Sequence, residues 1–306
     1  PVDYDEGIRY LEMAAKKNLD DTYKVLYLAL FKKNGYSLDI FFEAVRKYFL
    51  NPIPFNTEMK KALLYMKKSA DLNDDKTCFF YGFMKYIGFG MEANREEAMK
   101  YIIKSYENGY KEAFKICGTF IYSFFGPECG NESFTFFKLN AEKGDIESMM
   151  LCYLFSENNF EQYGEFSQLA NKFEFELLKG VKIPFKGKRI EKNPKEALKY
   201  LKMAADKGDT LAMRLYSEKM FEELQKPKEA VDYLKIAADN GDIDAMNQYG
   251  VMLLDGNKIA KNPIEGARYI KMAACNGDYE AIAKYAELLY HGIGVTINKK
   301  GAAKYY

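Results

Sequence analysis

Small and apolar residues recur along this chain at the spacing of α-helices, in a pattern that returns after 33 to 36 residues. Residues 193–209 carry one copy of the pattern, residues 226–242 a second and residues 262–278 a third. The apolar positions of the first copy, three or four residues apart, are Ala197, Tyr200, Leu201, Ala204 and Ala205. A period of this length indicates a repeat architecture. None of the copies alternates between apolar and polar residues as a β-strand would.

The repeats can be counted from the small residue equivalent to Ala197, here called the anchor. The anchors are Gly7, Ala62, Ala98, Ser133, Ala197, Ala230, Gly266 and Ala302. Seven of them are followed eleven residues later by a residue that tolerates the left-handed backbone conformation at a helix end. These residues are Asn18, Asn73, Gly109, Gly144, Gly208, Gly241 and Gly277. The spacing therefore predicts a single array over residues 1–306 with about eight repeats and irregular insertions at about 34–56 and 156–192.

Capping signals predict where the anchored helices begin. Asn193 and Asn262 are each followed by a proline and, three residues on, by a glutamate, which is the pattern of an N-cap, a first turn and a capping box. Asp3 and Asn94 begin the same pattern without the proline. A second apolar-periodic segment follows each Gly-Asp turn, and short connections favour antiparallel helix pairs. The sequence thus predicts an all-α fold, with further helices at 38–50 and 166–178 and a basic loop at 180–192 within the insertions.

The combination of these motifs resembles the Sel1-like repeats, which are relatives of the tetratricopeptide repeats. The residues that fit the first helix and turn of that pattern are Ala281, Tyr285, Ala286, Gly292, Gly294 and Val295. The residues that fit its second helix are Ala197, Tyr200, Ala204, Ala205 and Gly208. The likeness covers residues 193–306 and 57–144 and extends to 3–31. It implies a right-handed α/α superhelix, or solenoid, of antiparallel helix pairs that binds other proteins on its concave face and has no catalysis of its own.

The resemblance also implies which helix lines the binding groove, namely the first helix after each Gly-Asp turn. Transferred to this chain, the groove positions are Lys76, Phe79, Phe83, Tyr86, Glu112, Lys115, Thr119, Tyr122, Arg214, Glu218, Asn247, Val251, Ala283, Glu287 and Tyr290. A groove that mixes aromatic and charged side chains suits a peptide or a helix better than a small molecule, and aromatic side chains often dominate binding energy. We therefore expect other proteins as partners, bound as a peptide or helix in the groove or within a large assembly.

Composition narrows the kinds of partner and site that the chain is expected to have. The formal net charge is +1, so neither nucleic acid nor an anionic membrane surface is expected as the main partner. No apolar run approaches the length of a membrane span. The five cysteines are widely spaced and form no CxxC pair, which fits reduced thiols in a cytoplasmic protein better than a disulfide framework or a zinc site.

Candidate catalytic and cofactor motifs have simpler explanations. The Gly88-Phe89-Gly90 and Gly292-Ile293-Gly294 turns lack the preceding strand of a phosphate-binding loop, so we interpret them as turns between helices. His291 is the single histidine and lies in the second of these turns, where no cysteine or carboxylate motif accompanies it. We therefore expect no enzyme activity, no metal and no cofactor. The basic residues of the 180–192 loop are interpreted as solvated.

Two alternatives remain open from sequence alone. The chain could be the regulatory repeat segment of a larger protein, such as a protein kinase, whose catalytic domain lies outside these residues. It could instead be a structural component of a large cytoskeletal assembly that grips its partners through the insertions. Both share the predicted fold and differ in what the array is attached to or holds.

Overall fold

Every regular element in the described part of this computed structural model is helical. The structure describes residues 4–16, 21–35, 45, 55–125, 129–157, 188–222, 227–256 and 258–305. Its helices are α1 (Tyr4–Ala15), α2 (Thr22–Lys33), α3 (Thr57–Asp71), α4 (Asp75–Ile87), α5 (Arg95–Glu107), α6 (Ala113–Phe125), α7 (Gly130–Glu142), α8 (Ile146–Glu157), α9 (Pro194–Asp206), α10 (Thr210–Glu222), α11 (Pro227–Asp239), α12 (Ile243–Asp255), α13 (Pro263–Cys275), α14 (Tyr279–His291) and α15 (Lys299–Ala302). The predicted all-α class is confirmed. The helices predicted at 38–50 and 166–178 lie outside the described residues, apart from Val45.

The chain forms two compact units. Unit 1 comprises Pro1–Lys143 and Asn158–Glu191, and unit 2 comprises Gly144–Glu157 and Lys192–Tyr306. Within each unit, helices that are consecutive among those described pack against each other, from α1 to α7 in unit 1 and from α8 to α15 in unit 2. This succession of packed pairs is the predicted arrangement, in which each helix pair buries its apolar face against its neighbours. The continuity of a single array over the whole chain stays a prediction.

The turns predicted from glycine and asparagine are confirmed wherever they are described. Asn73, Gly109, Gly144, Gly208, Gly241 and Gly277 all have positive φ values, between 74° and 125°. In five of the six cases an aspartate follows and accepts a hydrogen bond from a backbone N–H of the next helix. The bonds run to Asp74 from Thr77, to Asp145 from Ser148, to Asp209 from Ala212, to Asp242 from Ala245 and to Asp278 from Ala281. The left-handed residue thus ends one helix and the aspartate starts the next.

The predicted N-caps are confirmed as well. Asn193 and Asn262 accept hydrogen bonds from the backbone N–H groups of Glu196 and Glu265, both at 3.2 Å, and a proline begins each helix. Asn94 caps α5 through the N–H of Glu97 at 2.9 Å. Each cap satisfies one of the backbone donors that a helix N-terminus leaves without an intrahelical partner. Asp3 lies outside the described residues.

Small residues let neighbouring helices approach closely. The alanine pairs at 204–205, 237–238 and 273–274 are buried. Gly250 lies so close to α13 that a Cβ atom there would come within 2.9 Å of the Ile270 side chain and 3.1 Å of the Gly266 carbonyl oxygen. Gly82 approaches Ile102 of α5 in the same way. The dense packing leaves no room for larger side chains at these crossings.

A tyrosine ladder links the repeats. Each of four tyrosines on the helices after the inter-helix turns packs edge-on against a tyrosine of the next repeat. The pairs are Tyr81–Tyr101, Tyr216–Tyr233, Tyr249–Tyr269 and Tyr285–Tyr305, with ring centroids 4.8, 5.1, 4.9 and 5.3 Å apart. Edge-to-face rings at this distance attract each other beyond the area they bury. The ladder therefore joins each repeat to the next through aromatic contacts.

The hydroxyl groups of three ladder tyrosines also contact the anchored helix of the preceding repeat. Each donates a hydrogen bond to the aspartate that ends the preceding anchored helix, and we call this contact the Tyr–Asp tie. The ties are Tyr101 to Asp71 at 2.6 Å, Tyr233 to Asp206 at 2.5 Å and Tyr269 to Asp239 at 2.5 Å. Cys275 stands at the position of the fourth aspartate, opposite Tyr305. Because a thiol is a weak acceptor, the ladder continues at this step while the tie does not.

Lysines reinforce two of the ties. Lys67 and Lys202 form ion pairs with Asp71 and Asp206 from one helical turn earlier, at 3.0 and 2.5 Å. Burial alone would raise the pKa of Asp206, but the hydrogen bonds from Lys202 and Tyr233 outweigh it and lower the pKa overall. Around the third tie, burial and the bond to Asp239 raise the pKa of Tyr269 to about 12, so its hydroxyl stays a donor at neutral pH.

The Tyr–Asp tie can be tested at two equivalent positions. Asp239→Ala removes the acceptor of Tyr269, whose ring is buried, and we expect it to lower the free energy of unfolding by about 1 to 2 kcal/mol. Cys275→Ala is the matched control, since it removes an exposed thiol from the equivalent helix end and should change stability little. Urea unfolding followed by far-UV circular dichroism measures both. Equal losses from the two variants would show that the tie contributes nothing.

Candidate functional site

The predicted groove positions of unit 1 include four side chains that the structure places in the core. Phe79, Phe83, Thr119 and Tyr86 are buried. The Phe83 ring packs edge-on against Phe120 at 4.7 Å. Burial raises the pKa of the Tyr86 hydroxyl well above its usual value. Their side chains offer no exposed surface to a partner, which corrects this part of the predicted groove.

The physical reason lies in the rotation of α4. Phe79 and Phe83 are four residues apart and therefore share one face of the helix. That face packs against aromatic rings from later in the chain, since the ring centroid of Phe79 lies 5.1 Å from that of Tyr110 in the turn after α5 and that of Phe83 lies 4.7 Å from that of Phe120 on α6. Spacing predicts that the two rings share a face, but it does not say which face of the helix points outward.

The other predicted groove positions in unit 1 are accessible to solvent. Lys76 and Glu112 are exposed, and Lys115 and Tyr122 are half-buried. Lys76 lies in the first turn of α4, Glu112 precedes α6, and Lys115 and Tyr122 lie on α6. Their role in binding stays a prediction.

In unit 2, three predicted positions, Glu218, Asn247 and Val251, line a cavity. The helices α10, α12 and α14 each follow a Gly-Asp turn, and side chains from all three line a cavity of about 550 Å³. Its lining residues are Glu218, Phe221, Glu222, Asn247, Gln248, Val251, Met252, Asp255, Lys258 and Glu280. A second cavity of about 330 Å³ shares Asn247, Gln248 and Glu280 and adds Asp244, Asp278 and Tyr279. We call the two together the α10–α12–α14 groove.

Arg214 fixes one edge of this groove. Its guanidinium contacts Asp242 and Asp244 at 3.1 Å each and Glu218 at 3.4 Å. Asp242 is also the N-cap of α12, so the same carboxylate starts the helix and holds the arginine. The side chain of Arg214 is only 15% exposed. Arg214 therefore positions Glu218 and Asp244 and is a structural part of the groove edge.

Amide side chains lie between the charged residues. Gln248 donates a hydrogen bond to Glu218 at 3.0 Å, and Asn247 donates to Glu280 at 3.5 Å. Both amides are half-buried and carry a carbonyl oxygen as well as N–H donors. They can therefore hydrogen-bond to the backbone of a bound peptide, which presents both donors and acceptors.

Three predicted positions on α14 lie apart from the groove lining. Ala283, Glu287 and Tyr290 are exposed, and none of them lines either cavity. Tyr290 has the ammonium of Lys299 5.0 Å from its ring centroid. The helix is in the predicted place, but its groove-facing residues are Tyr279 and Glu280 in its first turn.

Sequence reasoning missed most of the groove floor. Phe221, Met252 and Lys258 contribute to it, together with Gln248 and Glu280. Part of the signal was present, because Phe221 lies one turn beyond Glu218, and Met252 one turn beyond Gln248. Lys258 lies in the loop after α12 and follows no helical spacing, so only the folded chain brings it to Phe221.

A membrane-spanning helix and a metal-binding cluster are both absent from the described residues. None of the helices there combines the length and the apolar character needed to span a membrane. In the same part of the chain, no group of three or more histidine, cysteine, aspartate or glutamate side chains is arranged to hold a metal ion.

The basic loop predicted at 180–192 is described only from residue 188. The backbone N–H of Asn131 donates to the carbonyl oxygen of Lys188 at 3.0 Å, and the N–H of Lys188 donates to Glu132 at 3.0 Å. In unit 2, Lys192 pairs with Glu157 at 3.1 Å. These described residues thus make structural contacts, and the rest of the loop lies outside the described residues.

Comparison with known families gives a specific match. The profile described as Sel1 repeat matches seven segments, at residues 1–19, 58–74, 76–110, 180–209, 212–242, 243–278 and 280–306. The unmatched residues 111–179 include the anchor Ser133, although α7 and the left-handed Gly144 are present there. No curated protein sequence matches the chain.

Several solved structures are similar to this chain. One is a protective antigen present in uropathogenic Escherichia coli strains displaying an SLR fold, with 19% identity over 99% of this chain and a TM-score of 0.49. The chain spans 64% of that protein's length. Another is a Sel1 repeat protein from Oxalobacter formigenes, with 22% identity, 85% of this chain and 93% of that one covered, and a TM-score of 0.46. A third is an immunity protein from Pseudomonas aeruginosa, with 11% identity, 87% and 78% coverage and a TM-score of 0.30.

Because the rings of Phe79 and Phe83 are buried, their removal should lower the stability of the fold. We expect Phe79→Ala and Phe83→Ala each to lower the free energy of unfolding by about 3 to 5 kcal/mol, because each truncation leaves a cavity in a dense core. Thermal unfolding followed by circular dichroism measures the loss. Lys76→Ala, at an exposed position on the same helix, should stay within about 0.5 kcal/mol of the parent. A double phenylalanine variant as stable as the parent would contradict the core assignment.

Proposed function

The chain belongs to the Sel1 repeat family, and on that premise we propose that it is a non-catalytic scaffold or adaptor that binds another protein in the α10–α12–α14 groove. Sel1 repeat proteins are generally non-catalytic repeat scaffolds, and their repeats typically mediate protein interactions. The observation that carries the proposal is the groove itself, since its cavities take side chains from three successive repeats.

The dimensions and lining of the groove suit a segment of polypeptide. The larger cavity, of about 550 Å³, is lined by side chains from three helices, among them apolar side chains, amides and carboxylates. Peptide recognition in helical grooves uses this combination, with apolar pockets for anchoring side chains and polar groups for orientation. The helices beneath it are held by the caps and the tyrosine ladder, so the groove is formed before a partner arrives.

The same proposal includes a cytoplasmic location. Four cysteines are buried free thiols, and Cys275 is an exposed one. An exposed free thiol is most compatible with a compartment that keeps thiols reduced. Fluorescent tagging in the native cell tests the location independently of the binding role.

The binding role is tested by blocking the groove. Asn247→Trp places a large ring among the lining residues, and we expect it to abolish capture of the partner that the parent chain retains. Asp232→Trp, on the exposed side of α11, is the matched control and should leave capture unchanged. The measurement is affinity capture from the native cells followed by mass spectrometry, with circular dichroism to show that both variants keep their helicity.

A photo-crosslinking amino acid shows where on the chain the partner binds. Introduced at Val251, which is half-exposed in the groove, it should crosslink the captured partner, whereas the same residue at 232 should not. A partner captured equally well by the blocked variant and crosslinked only outside the groove would refute the proposal.

A further inference from the structure

The α10–α12–α14 groove carries a strong imbalance of charge. Six carboxylates and one ammonium group line its two cavities. The carboxylates belong to Glu218, Asp244, Asp278, Glu222, Asp255 and Glu280, and the ammonium to Lys258. The chain as a whole is nearly neutral, with a net charge of +1, so this excess is a local feature of the groove.

Three of these carboxylates are held by Arg214 or a helix N-terminus, and three form no ion pair among the described residues. Glu218 and Asp244 pair with Arg214, and Asp278 caps α14. Glu222, Asp255 and Glu280 are exposed and have no lysine or arginine partner among the described residues. The three unpaired carboxylates are therefore available to a positively charged ligand.

The floor between the carboxylates is apolar and partly aromatic. Phe221, Val251 and Met252 are half-buried there. At the other end of the groove, Tyr279 is 88% exposed, and no described cation lies over its ring. A tyrosine this exposed contributes little to the fold, and its π-face beside carboxylates is a favourable place for a cation.

The chain itself shows what the floor accepts. The ammonium of Lys258 lies 4.1 Å from the centroid of the Phe221 ring. It reaches this position from an exposed loop and forms no ion pair among the described residues. A cation over an aromatic face in a negatively charged groove is thus an arrangement that the groove already stabilises, with Lys258 in the position of a ligand's side chain.

We propose that the α10–α12–α14 groove selects a basic peptide segment, one that brings lysine or arginine side chains to Glu222, Asp255, Glu280 and Tyr279. The inference rests on the proposed binding role and specifies the chemistry of the partner. One cationic side chain packs on Tyr279 beside Glu280, and a second meets Glu222 and Asp255. Apolar side chains of the segment contact Val251 and Met252, and the amides of Asn247 and Gln248 bond to its backbone.

Lys258 has a defined place in this arrangement. Its ammonium competes with the incoming cation for the Phe221 face and reduces the negative charge of the groove. Removing it should therefore strengthen binding, whereas neutralising the carboxylates should weaken it. These opposite effects distinguish charge-selective binding from general stickiness of an apolar cavity.

The test begins with a random peptide display library panned against the whole chain. The enriched peptides should be rich in lysine and arginine and should lose affinity as salt is raised, since exposed charges are screened. The best enriched peptide, labelled with a fluorophore, is then the probe for affinity measurements on variants by fluorescence anisotropy.

Matched variants give the decisive comparison. The triple change Glu222→Gln, Asp255→Asn and Glu280→Gln should weaken the probe about tenfold, as expected for the loss of a few exposed ion pairs. The control triple Glu107→Gln, Glu142→Gln and Asp232→Asn removes the same charge from exposed positions outside the groove and should have little effect. Lys258→Ala should tighten binding about two- to fivefold, and Lys271→Ala, on an exposed face of α13, should not.

The outcomes separate this inference from the binding role. Enrichment of neutral or acidic peptides whose binding is lost in Asn247→Trp would overturn the charge selection and leave the interaction role intact. Basic peptides whose affinity changes equally in both triple variants would also overturn it, because the attraction would then come from the whole chain. A probe that is weakened only by the groove triple and tightened only by Lys258→Ala supports it.

Discussion

The reversal of the chain between helices is the constraint on which the rest of this structure depends. After each anchored helix, one residue adopts a left-handed conformation, and in most repeats an aspartate then caps the next helix. The two residues fix where one helix ends and where the next one starts, so the apolar faces of both meet in register. One such aspartate also positions the edge of the groove, because Asp242 caps α12 and binds Arg214 with the same carboxylate.

Different side chains pack the helices together in the two units. In unit 1, α4 and α6 carry large rings such as Phe83 and Phe120, which fill the space between helices. In unit 2 the anchored helices contribute alanine pairs, and a single tyrosine per repeat provides the ring contact to the next helix. Unit 2 therefore keeps half-buried polar side chains such as Asn247 and Gln248 on the helices that line its groove.

The regular features of the fold followed from sequence because each rests on local chemistry. Glycine at 208 and asparagine at 193 have few alternatives in a helical repeat, and their roles as a left-handed turn and an N-cap are confirmed. The groove was only half predictable. Glu218 and Asn247, predicted from their position in the repeat, line the larger cavity, but the rotation of α4, which buries Phe79, depends on neighbours more than twenty residues away. The contact of Lys258 could not be predicted from sequence for the same reason, since it joins a loop to Phe221 on a helix two elements earlier.

The missing Tyr–Asp tie at Cys275 has a consequence for how unit 2 unfolds. In a linear array, cooperativity comes from the coupling between neighbouring repeats, and each tie adds to that coupling. Asp206 and Asp239 couple α9 to α11 and α11 to α13, whereas the next step has the ring contact of Tyr285 with Tyr305 and the packing of α14 on α13 and α15 but no tie. We therefore expect the coupling across α14 to be weaker than that across α10 and α12, and amide hydrogens of α14 to exchange with solvent sooner than those of α11. One wall of the groove, formed by Tyr279 and Glu280, therefore lies on the helix that no tie couples to the next repeat.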